Sequence, residues 1–118
     1  MTPTDDTPTG LALLWITADR QAALDMVLMY AKNARLRGWW DMVHLVVWGP
    51  SAALLATDAE VQAAVAACRE AGVTLFACRA CAERHGVTDA LEALGVEVIF
   101  MGEPLTGYLK DGWKVLSI

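Results

Sequence analysis

The sequence lacks the features that would direct it to a membrane or a nucleic acid. No apolar run approaches the roughly 20 residues that a membrane-spanning helix requires. Fourteen acidic residues outnumber nine basic ones and give a formal net charge of −5. A broad basic face, which would attract nucleic acid or anionic lipid, is therefore absent. We expect neither a membrane nor a nucleic-acid partner.

The N-terminal segment also lacks what a secretory signal requires. Residues 1–9 alternate Pro, Thr and Asp, and two aspartates stand where a signal peptide would need a hydrophobic segment. We expect these residues to form a flexible tail, followed by a single domain over residues 10–118. The expected location is the reducing cytoplasm.

Cysteine is scarce, with three residues in the chain. A disulfide framework is unusual in a reducing compartment, so we expect free thiols. Cys78 and Cys81 form a lone Cys-x-x-Cys, which supplies two ligands where a structural zinc needs four. Cys68 belongs to the buried stripe of a helical pattern, and His44 lies in an apolar strand. We therefore expect no metal and no other cofactor.

Motifs of several common enzyme classes are missing as well. No Gly-x-Gly-x-x-Gly or Walker loop supports nucleotide binding. No Cys/His/Asn triad and no carboxylate pair at a glycosidase spacing supports a hydrolase. A thioredoxin-type dithiol fits the Cys-x-x-Cys spacing, but Pro104 precedes a predicted helix where that fold has a cis-proline before a strand.

Short apolar runs alternate with segments of helical period. Such strands separated by helical crossovers are typical of a parallel sheet covered on both faces, which predicts a three-layer α/β/α domain with five strands. The apolar content of 56% exceeds what one subunit needs to bury, so we expect a homo-oligomer. The strands are predicted at 11–17, 42–48, 73–77, 96–100 and 113–118. The buried face of the first helix is predicted to carry Ala23, Met26, Val27, Tyr30 and Ala34. Glycines that close the helices are predicted at Gly38, Gly72, Gly95 and Gly112.

The candidate site lies where the third strand ends. Cys78 closes that strand and begins the next helix, so the helix dipole and the neighbouring Arg79 favour its thiolate. Cys81 lies one turn further on the same side, because residues three apart are neighbours on a helix. The pair is open to two interpretations, a sulfur-carrying nucleophile and a dithiol redox switch.

A second candidate feature follows the second strand. Gly49, Pro50 and Ser51 start a helix whose N-terminus can attract an anion, together with Arg79. A non-catalytic oligomer that binds a small anionic or aromatic ligand between this turn and the cysteines is the alternative function. Asp19 and Thr88 are predicted to cap helices.

These residues resemble the DsrE/DsrF/TusD-like small sulfur-relay proteins. The likeness runs through LALLWIT, VVWGPSAALLA, GVTLFACRACAERHGV and LGVEVIFMGEPLTGYLKDGWKVLSI. In that family a strand ends in a cysteine that opens a helix, followed by a basic residue, Gly and Val; the matching residues here are Cys78, Arg84, Gly86 and Val87.

The resemblance implies a parallel α/β/α subunit that assembles into trimers or hexamers. It also implies a sulfurtransferase or persulfide carrier, in which Cys78 takes sulfur from a donor protein and yields it to an acceptor protein. Cys81 departs from the relay pattern, and its role decides between a relay and a dithiol switch with Cys78.

Overall fold

The computed structural model describes residues 10–118, so the tail predicted for residues 1–9 lies outside the described residues. Within that range, five strands form one sheet in the order β4-β3-β2-β1-β5, and every neighbouring pair is parallel. The predicted parallel sheet is thereby confirmed. The strands are β1 (Gly10–Trp15), β2 (Met42–Val47), β3 (Thr74–Cys78), β4 (Glu97–Ile99) and β5 (Lys114–Ser117).

Helices occupy every connection between consecutive strands. The first connection is a continuous helical run with a π-helical segment in its middle, Ala23–Leu28. No helix among the described residues is long and apolar enough to cross a membrane. The α-helices are α1 (Arg20–Ala22), α2 (Met29–Leu36), α3 (Ser51–Thr57), α4 (Ala59–Glu70), α5 (Arg79–His85), α6 (Thr88–Ala93) and α7 (Gly102–Lys110).

The strand order fixes which face each helix covers. From β1 to β4 the chain steps across the sheet in one direction, so right-handed crossovers put α1 to α6 on one face. The return from β4 to β5 reverses that direction and puts α7 on the other face. Two buried apolar clusters match this division: the larger lies under α1 to α6, and the smaller includes Met101 and Tyr108 from the α7 region. We call the second surface the α7 face.

The π-helical segment corrects one predicted helix face. The predicted stripe included Met26, but Met26 is 39% exposed, whereas Leu28 and Ala31 are buried. A π-helix bonds residue i to i+5 and is wider than an α-helix, so it rotates the buried stripe relative to a regular period. Ala23, Val27 and Ala34 are buried as predicted.

Helix ends follow the sequence signals with one exception. Asp19 Oδ1 accepts a hydrogen bond from the Ala22 backbone N–H at 2.9 Å and caps α1 as predicted. Thr88 is the first residue of α6, and Val87 stands at its N-cap without a side-chain bond, so the Thr88 cap prediction is wrong. All four predicted closing glycines have positive φ, for example 104° at Gly72.

Candidate functional site

Cys78 joins a strand directly to a helix. It is the last residue of β3 and the N-cap of α5, with extended φ and ψ of −69° and 119°. Its register partner on β4 is Ile99. Because no loop separates β3 from α5, the thiol is held at the carboxyl edge of the sheet, the edge at which ligands gather in open parallel sheets.

Cys81 lies one helical turn beyond Cys78, and the structure brings the two thiols together. Each is 6% exposed, and both belong to the buried cluster of the α7 face. The two thiols are close enough for Cys78 to raise the pKa of Cys81. The other buried members of this cluster are Ala12, Leu14, Val46, Met101 and Tyr108.

The surroundings of Cys81 keep its proton in place. Burial, the hydrogen bond to Cys78 and the charge of Cys78 raise the pKa of the Cys81 thiol, while the Gly49 backbone N–H and the Arg84 cation act in the opposite direction. Cys81 is therefore held in its protonated form beside Cys78.

The turn predicted to bind an anion reaches the cysteines through Gly49. Gly49 has φ of 80°, and its backbone N–H acts to lower the pKa of the Cys81 thiol. The fully buried Ser51 uses its own groups within the fold: its hydroxyl accepts from Trp48 N–H at 3.2 Å, and its N–H donates to the Ile16 carbonyl at 3.1 Å. Anion binding by Gly49, Pro50 and Ser51 stays a prediction.

Arg79 is oriented along β4. Its Nη2 donates to the Val98 carbonyl at 2.8 Å, and its Nη1 lies 3.9 Å from Glu83 Oε2. The guanidinium also lies 5.9 Å from the ring centroid of Phe100, a cation–π distance. The cation that acts electrostatically on Cys81 is Arg84, the basic residue of the family pattern. A ligand-binding role for Arg79 stays a prediction.

The remaining cysteine is an interior residue, as predicted, and the strand histidine is half-buried. Cys68 is fully buried, and burial raises its pKa to about 11. His44 lies in β2 with Nδ1 2.8 Å from the Tyr108 hydroxyl, and burial lowers its pKa. Among the described residues, no three His, Cys, Asp or Glu side chains gather closely enough to hold a metal ion.

Two features of the site were not predicted from the sequence. Met101 and Tyr108 share the cluster of the cysteines, although they follow β4 in the chain and belong to the α7 region. The effect of the Gly49 N–H on the pKa of Cys81 depends on the packing of α3 beside α5.

The family of the chain follows from a comparison with protein-family models. The model of the DsrE/DsrF-like family matches residues 16–118, so the chain belongs to this family. No curated protein matches the chain.

Solved structures share the fold over nearly the whole chain. A conserved protein of unknown function, BT1422 from Bacteroides thetaiotaomicron, is 41% identical with a TM-score of 0.89, over 92% of this chain and 94% of that one. The protein of unknown function MTH1491 from Methanobacterium thermoautotrophicum is 18% identical with a TM-score of 0.75, over 93% of this chain and 99% of that one. The ychN protein from E. coli is 16% identical with a TM-score of 0.71, over 95% of this chain and 100% of that one.

Proposed function

We propose that this protein handles sulfur in the cytoplasm by accepting a persulfide sulfur on Cys78 and passing it to an acceptor. The observation that carries the proposal is the pair of buried thiols at the end of β3. Cys78 opens α5 at the carboxyl edge of the sheet, and Cys81, which keeps its proton, lies one helical turn further on. Membership of the DsrE/DsrF-like family supports it.

The proposed reaction is a sulfur transfer between thiols. The Cys78 thiolate attacks the outer sulfur of a donor persulfide, the new S–S bond forms on Cys78, and the donor leaves as a thiolate. An acceptor thiolate then attacks that outer sulfur, and Cys78 is regenerated as the leaving thiolate. Each step exchanges one S–S bond for another, so no external oxidant or reductant is needed.

The burial of Cys78 limits what can reach it. Cys78 is only 6% exposed, so bulk solvent has little access to it. This burial should slow the exchange of a Cys78 persulfide with thiols in solution. A donor must therefore present its persulfide on a narrow group, either a small molecule or a cysteine on a protruding segment of a protein.

We also propose that the subunit forms a homo-oligomer through its α7 face. Phe76 and Ile99 on this face of the sheet are only partly buried, and Leu109 of α7 is 63% exposed. Burying such apolar surface between subunits is favourable. Leu109→Asp should lower the mass measured by light scattering after gel filtration, whereas Met29→Asp, a control on the opposite face, should leave it unchanged. A monomeric wild-type protein contradicts the proposal.

The sulfur-transfer proposal is tested by cyanolysis, which releases the outer sulfur of a persulfide as thiocyanate. A Cys81→Ser background leaves Cys78 as the only thiol of the site. After treatment with glutathione persulfide and desalting, this protein should yield about one equivalent of thiocyanate, since one thiol holds one outer sulfur. Adding Cys78→Ser should abolish the yield, and adding Cys68→Ser should preserve it. Absence of thiocyanate contradicts the proposal and favours a dithiol switch or a ligand-binding protein.

A further inference from the structure

We infer that Cys81 is a resolving thiol, which removes the sulfur from Cys78 as sulfide when no acceptor arrives. The inference rests on the proposed persulfide at Cys78. It assigns a chemical role to the residue that departs from the relay pattern, and it makes the protein a carrier whose loaded state has a limited lifetime.

The geometry places Cys81 for attack on the inner sulfur. Cys78 is the N-cap of α5 and Cys81 is its third residue, so the two side chains lie on the same side of the first turn. Both thiols are in one buried cluster, and Cys78 acts on the pKa of Cys81. An S–S bond of about 2.05 Å requires these two neighbouring side chains on one helical turn to approach each other.

The reaction balances without another reactant. The Cys81 sulfur attacks the inner sulfur of the Cys78 persulfide, a Cys78–Cys81 bond forms, and the bond to the outer sulfur breaks. The outer sulfur, which carries the negative charge of the persulfide, takes up the proton lost by Cys81, leaves with the bonding electron pair and departs as hydrosulfide, HS−. The two cysteine sulfurs are oxidised to a disulfide as the outer sulfur is reduced. A low-molecular-weight thiol or a dithiol protein then returns the pair to the reduced state.

Loading Cys78 with sulfur favours this attack. In the unloaded site, the charge of Cys78 and the hydrogen bond to it help keep the proton on Cys81. In the persulfide, the negative charge lies on the outer sulfur, which is about 2 Å from the inner sulfur of Cys78. The Gly49 N–H and Arg84, which act to lower the pKa of Cys81, then meet a weaker opposing charge effect from Cys78. Loading therefore makes it easier for Cys81 to lose its proton and act as the nucleophile.

An acceptor protein therefore competes with Cys81 for the same bound sulfur. A docked acceptor thiol attacks the outer sulfur and takes it; without an acceptor, Cys81 attacks the inner sulfur and sulfide is lost. Two attacks on different sulfurs of one persulfide yield different products, so they can be separated by mass.

The test follows wild-type protein, Cys81→Ser and Cys81→Ala after anaerobic loading with glutathione persulfide and rapid desalting. Intact mass and released sulfide are measured over time. The wild type should gain one sulfur, then lose it together with two hydrogens and release about one equivalent of sulfide. Both Cys81 variants should keep the added sulfur at least ten times longer and release none. A donor-free wild-type sample controls for direct oxidation.

The outcomes separate the two proposals. If the wild type keeps the sulfur as long as the variants and releases no sulfide, the resolving role of Cys81 is overturned while the persulfide on Cys78 stands. If the Cys81 variants gain a glutathione adduct or nothing in place of one sulfur, the proposed function itself fails and the resolving role falls with it.

Discussion

The thiol of Cys68 donates a hydrogen bond to the carbonyl oxygen of Leu28 at 3.3 Å. Leu28 is the last residue of the π-helical segment, and the backbone N–H of Lys32, four residues on, acts to lower the pKa of the same thiol. Cys68 therefore bonds to the backbone where π-helix returns to α-helix, the kind of position at which a side chain can interrupt the regular ladder. This buried cysteine stabilises an irregular helix as well as filling space.

We predict that Cys68→Ser is less destabilising than Cys68→Ala. Both variants remove the sulfur volume, but serine keeps a donor for the Leu28 carbonyl, and a buried carbonyl without a partner costs about 1–3 kcal/mol. Urea unfolding of the two variants measures the difference. An alanine variant as stable as the serine variant would show that the hydrogen bond contributes nothing.

Gly10 is predicted to be essential for seating Trp113. A Cβ at Gly10 would overlap the indole ring, which itself packs 4.7 Å from the His44 ring and 4.9 Å from the Tyr108 ring. Gly10→Ala should therefore lower the free energy of unfolding by about 1–3 kcal/mol. The matched control is Gly107→Ala in α7, where a Cβ meets nothing within 4 Å and should stabilise by up to about 1 kcal/mol. Equal effects of the two substitutions contradict this account.

His44 should make stability fall as the pH falls. Burial lowers its pKa in the folded state, so below the ordinary value of 6.5 the unfolded chain takes up a proton that the folded chain resists. The loss begins as the pH drops through 6.5 and stops at the folded-state pKa. In urea unfolding from about pH 8 to about pH 5, His44→Asn should show a flatter dependence than wild type. Parallel curves for the two proteins would refute the prediction.

Gly49 is predicted to be required for its backbone conformation, since there is room for a larger side chain at this position. Its φ of 80° lies in the left-handed region, and the nearest atom to an added Cβ is Ile16 Cγ2 at an unstrained 3.7 Å. Gly49→Ala should cost about 1–2 kcal/mol from backbone strain. The control Gly102→Ala, with open space and no positive φ, should be close to neutral. Thermal unfolding measures both, and a neutral Gly49→Ala would mean that the turn adopts another conformation easily.

Most of the fold could be predicted because strands and helices alternate regularly along the sequence of a parallel α/β domain. Every strand was located to within two residues at each end, and the glycines at positions 38, 72, 95 and 112 do adopt positive φ. The π-helical segment could not be predicted, since its buried and exposed residues still fit an approximate helical period. The segment also takes part in a tertiary contact that no local pattern specifies, the hydrogen bond from Cys68 to the Leu28 carbonyl.

The site was predictable only in part, for a related reason. The position of Cys78 between β3 and α5 follows from local patterns, and so does its proximity to Cys81. The orientation of Arg79 toward the Val98 carbonyl does not, because it depends on how α5 packs beside β4. The family pattern, which includes Arg84, was the better guide to the cation near the thiols.

The most direct test of the central claim is the intact mass of the Cys81→Ser protein after loading with glutathione persulfide and desalting. We predict a gain of one sulfur atom, its removal by a thiol reductant, and no gain when Cys78→Ser is added. Because Cys68 has a pKa of about 11, it should not take up sulfur at neutral pH, and Cys68→Ser should leave the gain unchanged. A Cys81→Ser protein of unchanged mass, or an equal gain without Cys78, would contradict the claim that Cys78 carries sulfur.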